Sequence, residues 1–182
     1  MPIKFKRNVS YSNRGMFLEH IINETNTYYL NKDIAIIYKK PTPIKVLNVS
    51  YRSRETTMIN KAVFSETSTL DYNGIYKGKY IEFDAKECKN KTAFPLSNIK
   101  EHQITHIKNI LRHGGIVFLI IFMNNKFYLL DGKDLIDFIN STSRKSIPFD
   151  IIENKGHIIN EGYIPRLDYI KTVEKVYFKE IR

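Results

Sequence analysis

Apolar residues recur along this chain with two different periods, and the switches between them mark out its elements. From Met16 to Leu30, the residues Phe17, Leu18, Ile21, Ile22, Tyr28 and Tyr29 share one helical face, with Asn13 ahead of them as a cap. Ile34 to Tyr38 is a short apolar run suited to a buried strand, and Lys39-Lys40-Pro41-Thr42-Pro43 ends it because proline cannot continue a central ladder. Ile44 to Val49 reads as the next strand. After Asn98, a second helix is expected from Ile99 to about Arg112, stopped by Gly114-Gly115, with Ile99, Ile104, Ile107, Ile110 and Leu111 as its stripe. Ile116 to Phe122 is almost unbroken in its apolarity and is the expected central strand, turned at Asn124-Asn125 into Phe127 to Leu130. A short helix around Asp134 to Ile139 follows. A last one carries Leu167, Ile170, Val173 and Val176 on one side. Together these elements predict an α/β fold, a central mixed β-sheet flanked by α-helices.

Between Tyr51 and Ser68 neither period holds. A segment this long between strands is more often a functional protrusion than a plain loop, and it carries Arg52, Arg54, Lys61 and Phe64. Residues 1–13 read as a flexible basic arm with Lys4, Lys6 and Arg7, leaving 14–182 as a single domain with a stalk at about 51–68.

The stretch from Thr69 to Lys86 alternates about Lys77-Gly78 and reads as a β-hairpin, glycine supplying the positive φ of a two-residue turn. Counting outward from a Tyr76–Lys79 pair sets Asp71 opposite Asp84. Two like charges facing each other across a ladder destabilise it unless something neutralises them. Lys86 emerges on the same face as Asp84 by the two-residue period. Two carboxylates and an ammonium on one face suit Mg²⁺, with Mn²⁺ as a substitute, and hydrolysis of a phosphodiester. The bland alternative is a surface hairpin with scattered charges.

Charge then narrows the partner. The formal net charge is +10 over 182 residues, with a pI near 9.5, which favours a polyanion, nucleic acid before membrane. No apolar run is long enough to span a bilayer, and a cytoplasmic protein is expected. One cysteine, Cys88, excludes an intrachain disulfide and reads as a passive thiol. Gln103 sits inside the apolar stripe of its helix and therefore needs a partner, whereas His102 and His106 lie off it and read as solvated.

Several strings resemble the RecU family of Holliday junction resolvases: Arg14-Gly15-Met16, Asn23-Glu24-Thr25-Asn26, Lys39-Lys40-Pro41-Thr42-Pro43, Asp71-Tyr72-Asn73-Gly74, Ala85-Lys86-Glu87, Phe94-Pro95-Leu96, Glu101-His102-Gln103-Ile104 and Pro165-Arg166-Leu167-Asp168. The resemblance implies a restriction-endonuclease-like core of the nuclease superfamily whose signature is Asp, then Asp or Glu, any residue, and Lys. It gives those places to Asp71, Asp84 and Lys86. It adds Thr69 and Gln103 near the metal, Gln103 orienting Lys86 or a water, and Glu19 as an acid sent in from the first helix. The segment at 51–68 becomes a stalk that enters an open four-way junction. There Arg52 and Arg54 hold phosphates, and Phe64 either stacks on a base or packs within the stalk. Lys39, Lys40, Lys89 and Lys91 are further candidate DNA contacts, with solvated loops as the plain alternative for the first two.

The implied activity is Mg²⁺-dependent resolution of four-way junctions by paired nicks from a homodimer, in recombination and repair. Branched DNA is the implied partner, along with a RecA-type recombinase and branch-migration proteins. Two other readings stand beside it: a junction-binding protein that modulates a recombinase with dispensable cleavage, and a duplex-specific nuclease on the same core.

Overall fold

The computed structural model describes residues 16–50, 53, 57–64 and 69–178. The basic arm, the Asn13 cap and the stalk arginines Arg52 and Arg54 lie outside the described residues.

The first helix, α1 (Met16–Asn31), is followed by β1 (Ile36–Lys39) and by the strands β2 (Ile44–Ser50) and β3 (Met58–Phe64). The predicted hairpin is β4 (Tyr72–Tyr76) with β5 (Lys79–Glu87). Beyond it come β6 (Ala93–Pro95), α2 (Glu101–Arg112), β7 (Ile116–Met123), β8 (Lys126–Asp131) and α3 (Gly132–Ser141). The chain continues through β9 (Ser146–Pro148), α4 (Phe149–Lys155), β10 (His157–Ile159) and α5 (Tyr169–Tyr177).

Six of these strands form one sheet in the order β1-β4-β5-β7-β8-β10. The β5–β7 pair is parallel and the others antiparallel, so the sheet is mixed, and α2 lies on the crossover that a parallel pair requires. Leu18, Ile21, Ile22 and Tyr29 of α1, with Ile170 and Val173 of α5, bury one face of the sheet. On the other face, Ile107 and Ile110 of α2 and Leu135 of α3 pack on Val117, Leu119, Tyr128 and Leu130. This is the expected α/β architecture, and β7 is its central strand, all but fully buried.

The hairpin register is the predicted one: Tyr76 pairs with Lys79 and Tyr72 with Phe83. Lys77 (φ 46°) and Gly78 (φ 74°) both take positive φ, the signature of the tight turn whose twist matches the strands. Tyr72, Phe83 and Phe118 stack in a row across three strands, with ring centroids 4.9 Å apart at each step and planes within 7° of parallel. That stack holds β4, β5 and β7 in register, so the residues flanking it on the opposite face are fixed as well. Gly74 allows β1 to close on β4, since an added Cβ would stand 2.0 Å from the carbonyl oxygen of Ile36.

Three expectations change. The protrusion is a two-stranded antiparallel ribbon of β2 and β3, starting at Ile44, and β2 does not join the main sheet. Every residue of β3 is exposed, so no face is selected to be apolar and the alternation that marks a strand never appears in the sequence. Helix α2 starts at Glu101, not Ile99. Leu96–Asn98 forms its own 3₁₀ turn, closed by Ile99 N–H donating to the Leu96 carbonyl at 3.0 Å, and Lys100 rather than Asn98 holds the N-cap position of α2. Finally, Arg144-Lys145-Ser146 reads in the sequence as a basic loop, but Ser146 belongs to β9, which pairs with β6 to brace the loop that follows β5.

Candidate active site

Residues of β5 alternate between the two faces of the sheet. Ile81 and Phe83 enter the α1 side, while Glu82, Asp84 and Lys86 share the α2 side with Glu82 and Asp84 fully buried. Two buried acids two residues apart need separate sets of partners, and each has one.

Asp84 accepts three hydrogen bonds. Lys86 Nζ lies 2.7 Å from its Oδ2, Gln103 Nε2 donates to the same oxygen at 2.9 Å, and the Ala85 N–H donates to Oδ1 at 2.9 Å. Extending the ladder one step beyond the Tyr72–Phe83 pair brings Asp71 opposite Asp84, placed so that a protonated Asp71 can share a hydrogen bond with it. Burial, that shared bond and the charge of Asp84 push the Asp71 carboxyl up to about 7 from 3.8. Lys86 opposes the shift and Glu19 adds to it. Asp71, Asp84, Lys86 and Glu19 therefore act on one another electrostatically, and Gln103 joins them through its hydrogen bond to Asp84.

Glu19 stands at its edge. Its side chain pairs with Lys39 and its carbonyl accepts from Tyr72 Oη at 3.5 Å. The amino end of α1 is tethered by Glu87, whose Oε1 accepts from the Leu18 N–H at 2.9 Å. This fixes the helix that presents Glu19.

Gln103 has the partners its burial demands, but they give it a different part from that of a metal ligand. Its Oε1 accepts from the Lys100 N–H at 3.1 Å and so caps α2, while its Nε2 donates to Thr69 O at 3.0 Å as well as to Asp84. Turning the amide over would set oxygen against two oxygens and NH₂ against an N–H. The amide thus offers the acid a donor and holds no oxygen toward it. Thr69 is likewise engaged, its Oγ1 accepting from Lys40 Nζ at 2.7 Å.

Lys40 is the clearest correction among the candidate DNA contacts. Its ammonium turns inward to Thr69 and Glu82. Lys39 is half exposed beside Glu19, and Lys89 and Lys91 are exposed on the loop just past Lys86. Phe64 is 79 % exposed, which excludes packing within the stalk, and it pairs with Ile44 at the foot of the ribbon.

Glu82 goes unnoticed in the sequence, and His106, expected there to be solvated, is one of its partners. Glu82 accepts from Lys40, from Tyr80 Oη, from His106 Nε2 at 2.9 Å and from the Leu70 N–H at 3.4 Å. Burial pushes its carboxyl up, but the bonds from Lys40, Tyr80 and His106 outweigh this and leave it below the usual carboxylate range. The two-residue period that placed Lys86 also places Glu82, and His106 follows Gln103 by three, on the same side of α2.

Among the described residues no group of three or more His, Cys, Asp or Glu is gathered to hold a metal. The acids that fit one are the pair Asp71 and Asp84. Burial first, and then the neighbouring Asp84, push the Asp71 carboxyl up, and a cation between the two acids would favour the ionised form of both.

The chain matches the model of the family described as Recombination protein U over residues 13–175. It belongs to the RecU family. A relative from Geobacillus sp. (strain WCH70), named Holliday junction resolvase RecU, is 54 % identical over 174 residues, covering 93 % of this chain and 87 % of its own. The protein of the same name from Bacillus subtilis (strain 168) is 50 % identical over 176 residues, covering 95 % and 85 %. Among solved structures, the Hjc Holliday junction resolvase of Archaeoglobus fulgidus overlays with a TM-score of 0.47 at 9 % identity, covering 78 % of this chain and 95 % of that one. The matched range spans the positions of Asp71, Asp84, Lys86 and Gln103 and those of the ribbon.

Proposed function

We propose that this RecU-family protein is a divalent-metal-dependent endonuclease that resolves Holliday junctions, with Mg²⁺ as the working ion and two copies making paired, symmetric nicks. The observation that carries the reading is the meeting of Asp71 and Asp84 beside Lys86, in a chain half identical to proteins named as such resolvases.

Asp71 and Asp84 would hold the cation, and with two carboxylates its remaining positions fall to water and phosphate, as Mg²⁺ favours. When bound, it supplies Lewis acidity at the scissile phosphate. Lys86 sets a cation next to the oxygens on which negative charge grows in the transition state. Asp84 aims that ammonium, and Gln103 keeps Asp84 from rotating. Lys89 and Lys91 extend the positive surface along a strand leaving the site, and the solvent-exposed ribbon is suited to enter the open centre of a branched substrate.

A junction needs two cuts related by symmetry, so a twofold dimer fits the task. Ile36 pairs with Ile75 and Ile75 with Tyr80, and all three are more than two-fifths exposed, an apolar row for a second copy to cover.

The test is cleavage of synthetic four-way, three-way and linear DNA, with and without Mg²⁺, by the wild type and Lys86→Ala. The expected result is cutting of the four-way substrate that needs both the metal and Lys86, with binding retained by the variant. Cutting undiminished in Lys86→Ala would overturn the mechanism, and preference for a linear site would overturn the substrate.

A further inference from the structure

Glu82 does none of the chemistry just described, yet it is fully buried as a charged group with four donors around it. A buried ionic network is weak as a source of stability, since well-packed apolar residues of the same volume serve as well or better. Its place in the chain accounts for it better than stability does.

The ribbon joins the body at two roots. The outgoing root is Lys40, immediately before Pro41-Thr42-Pro43 and the first residue of β2; the returning root is Thr69-Leu70, immediately before Asp71. Glu82 binds both, through the Lys40 ammonium and the Leu70 N–H. Lys40 strengthens the joint by donating its Nζ to Thr69 Oγ1 at 2.7 Å and its N–H to Asp71 O at 2.7 Å. On the far side α2 grips the same two acids of β5, His106 holding Glu82 and Gln103 holding Asp84 together with Thr69 O. A ribbon exposed along β3 is steered at its roots, and a displacement there moves Thr69 and Asp71 directly.

Building on the reading of this protein as a junction resolvase, we propose that Glu82 is a positioning residue that couples the β2–β3 ribbon to the acid pair, with Lys40 and His106 as its two arms. Branched DNA seated on the ribbon thereby sets the geometry of Asp71 against Asp84. A substrate that fails to engage the ribbon leaves that geometry unset.

The experiment uses the full chain, with a synthetic four-way junction in chelator so that no cleavage occurs, and follows amide hydrogen exchange. In the wild type the junction is expected to slow exchange both in β2–β3 and in α2. In Glu82→Gln the ribbon keeps its protection, while the junction-induced change in α2 is lost. With Mg²⁺ added, kcat on the junction falls about 10- to 100-fold, the range for a misplaced reactive group, with KM within about twofold of wild type. If Glu82→Gln does not fold, Lys40→Met combined with Glu82→Met replaces the network by apolar side chains and is expected to show the same uncoupling.

The proposal is overturned if either folded variant transmits the junction-induced protection to α2 as the wild type does, or if the wild type shows none there. Failure of the wild type to cleave any four-way junction would instead overturn the resolvase reading, and the exchange result would still report on the coupling.

Discussion

Gln103 reaches Asp84 with its amide nitrogen at 2.9 Å while its amide oxygen closes the first turn of α2 on Lys100. One side chain thus ties the start of a helix, the returning root of the ribbon and a buried acid of the candidate site. In Gln103→Ala, the Asp84 carboxylate, the Thr69 carbonyl and the Lys100 N–H each lose a partner. Thermal melts should show a loss of about 1–3 kcal/mol. Junction cleavage should fall about 10- to 100-fold, as for other residues that orient metal-holding side chains.

Asp71→Asn should separate activity from stability. In the metal-free protein the folded Asp71 carboxyl titrates at about 7 and an unperturbed one at 3.8. Below the lower value both states hold the proton and no penalty exists. As pH rises toward 7 the unfolded chain ionises first, so stability attributable to this group is lost across that window and stays lost above it. The asparagine variant escapes the loss. In chelator at pH 8 it should be more stable than wild type by about 1–3 kcal/mol, an advantage that vanishes near pH 4, while cleavage is abolished. Melting curves across pH, paired with a junction assay, check both halves.

Lys89 and Lys91 should act through charge and Lys40 through structure. Replacing the first two by alanine is expected to weaken junction binding evenly across sequences and to lower the slope of log affinity against log salt by about 2, roughly one for each phosphate contact. Lys40→Ala, with its ammonium already engaged by Thr69 and Glu82, should leave that slope unchanged and lower the melting temperature instead. Binding isotherms at several salt concentrations distinguish them.

Ile75→Lys should weaken self-association. The residue lies between Ile36 and Tyr80 in the exposed row, and a charge there would have to be desolvated on pairing. Sedimentation velocity is expected to show the variant as a monomer at concentrations where the wild type is a dimer, with the melting temperature changed by less than a few degrees.

The hairpin was legible in the sequence because Lys77-Gly78 fixes the turn and strand alternation carries the register outward from it to Asp71 and Asp84. The burial of β7 was legible because a strand apolar on both faces must be covered on both, which only the middle of a sheet provides. The ribbon strand β3 was not, since a strand wet on both faces has no hydrophobic signature. The three-residue strands β6 and β9 are too short to show a period at all. His106 was misjudged because it lies off the apolar stripe, and its partner is a buried acid rather than a hydrophobe. Phe64 could be assigned to the protrusion but not to a height on it, which depends on the pairing of β3 with β2.

That height matters for how a DNA crossover would be read. The seven residues of β2 carry the far end of the ribbon roughly 20 Å from its foot at the usual rise per strand residue. If the ribbon enters a junction as proposed, an aromatic ring stationed beside Ile44 would be a floor rather than a probe: a nucleobase would rest on it only after the branch point had descended the length of the ribbon. Seating depth, as much as shape, would then distinguish an open junction from ordinary duplex.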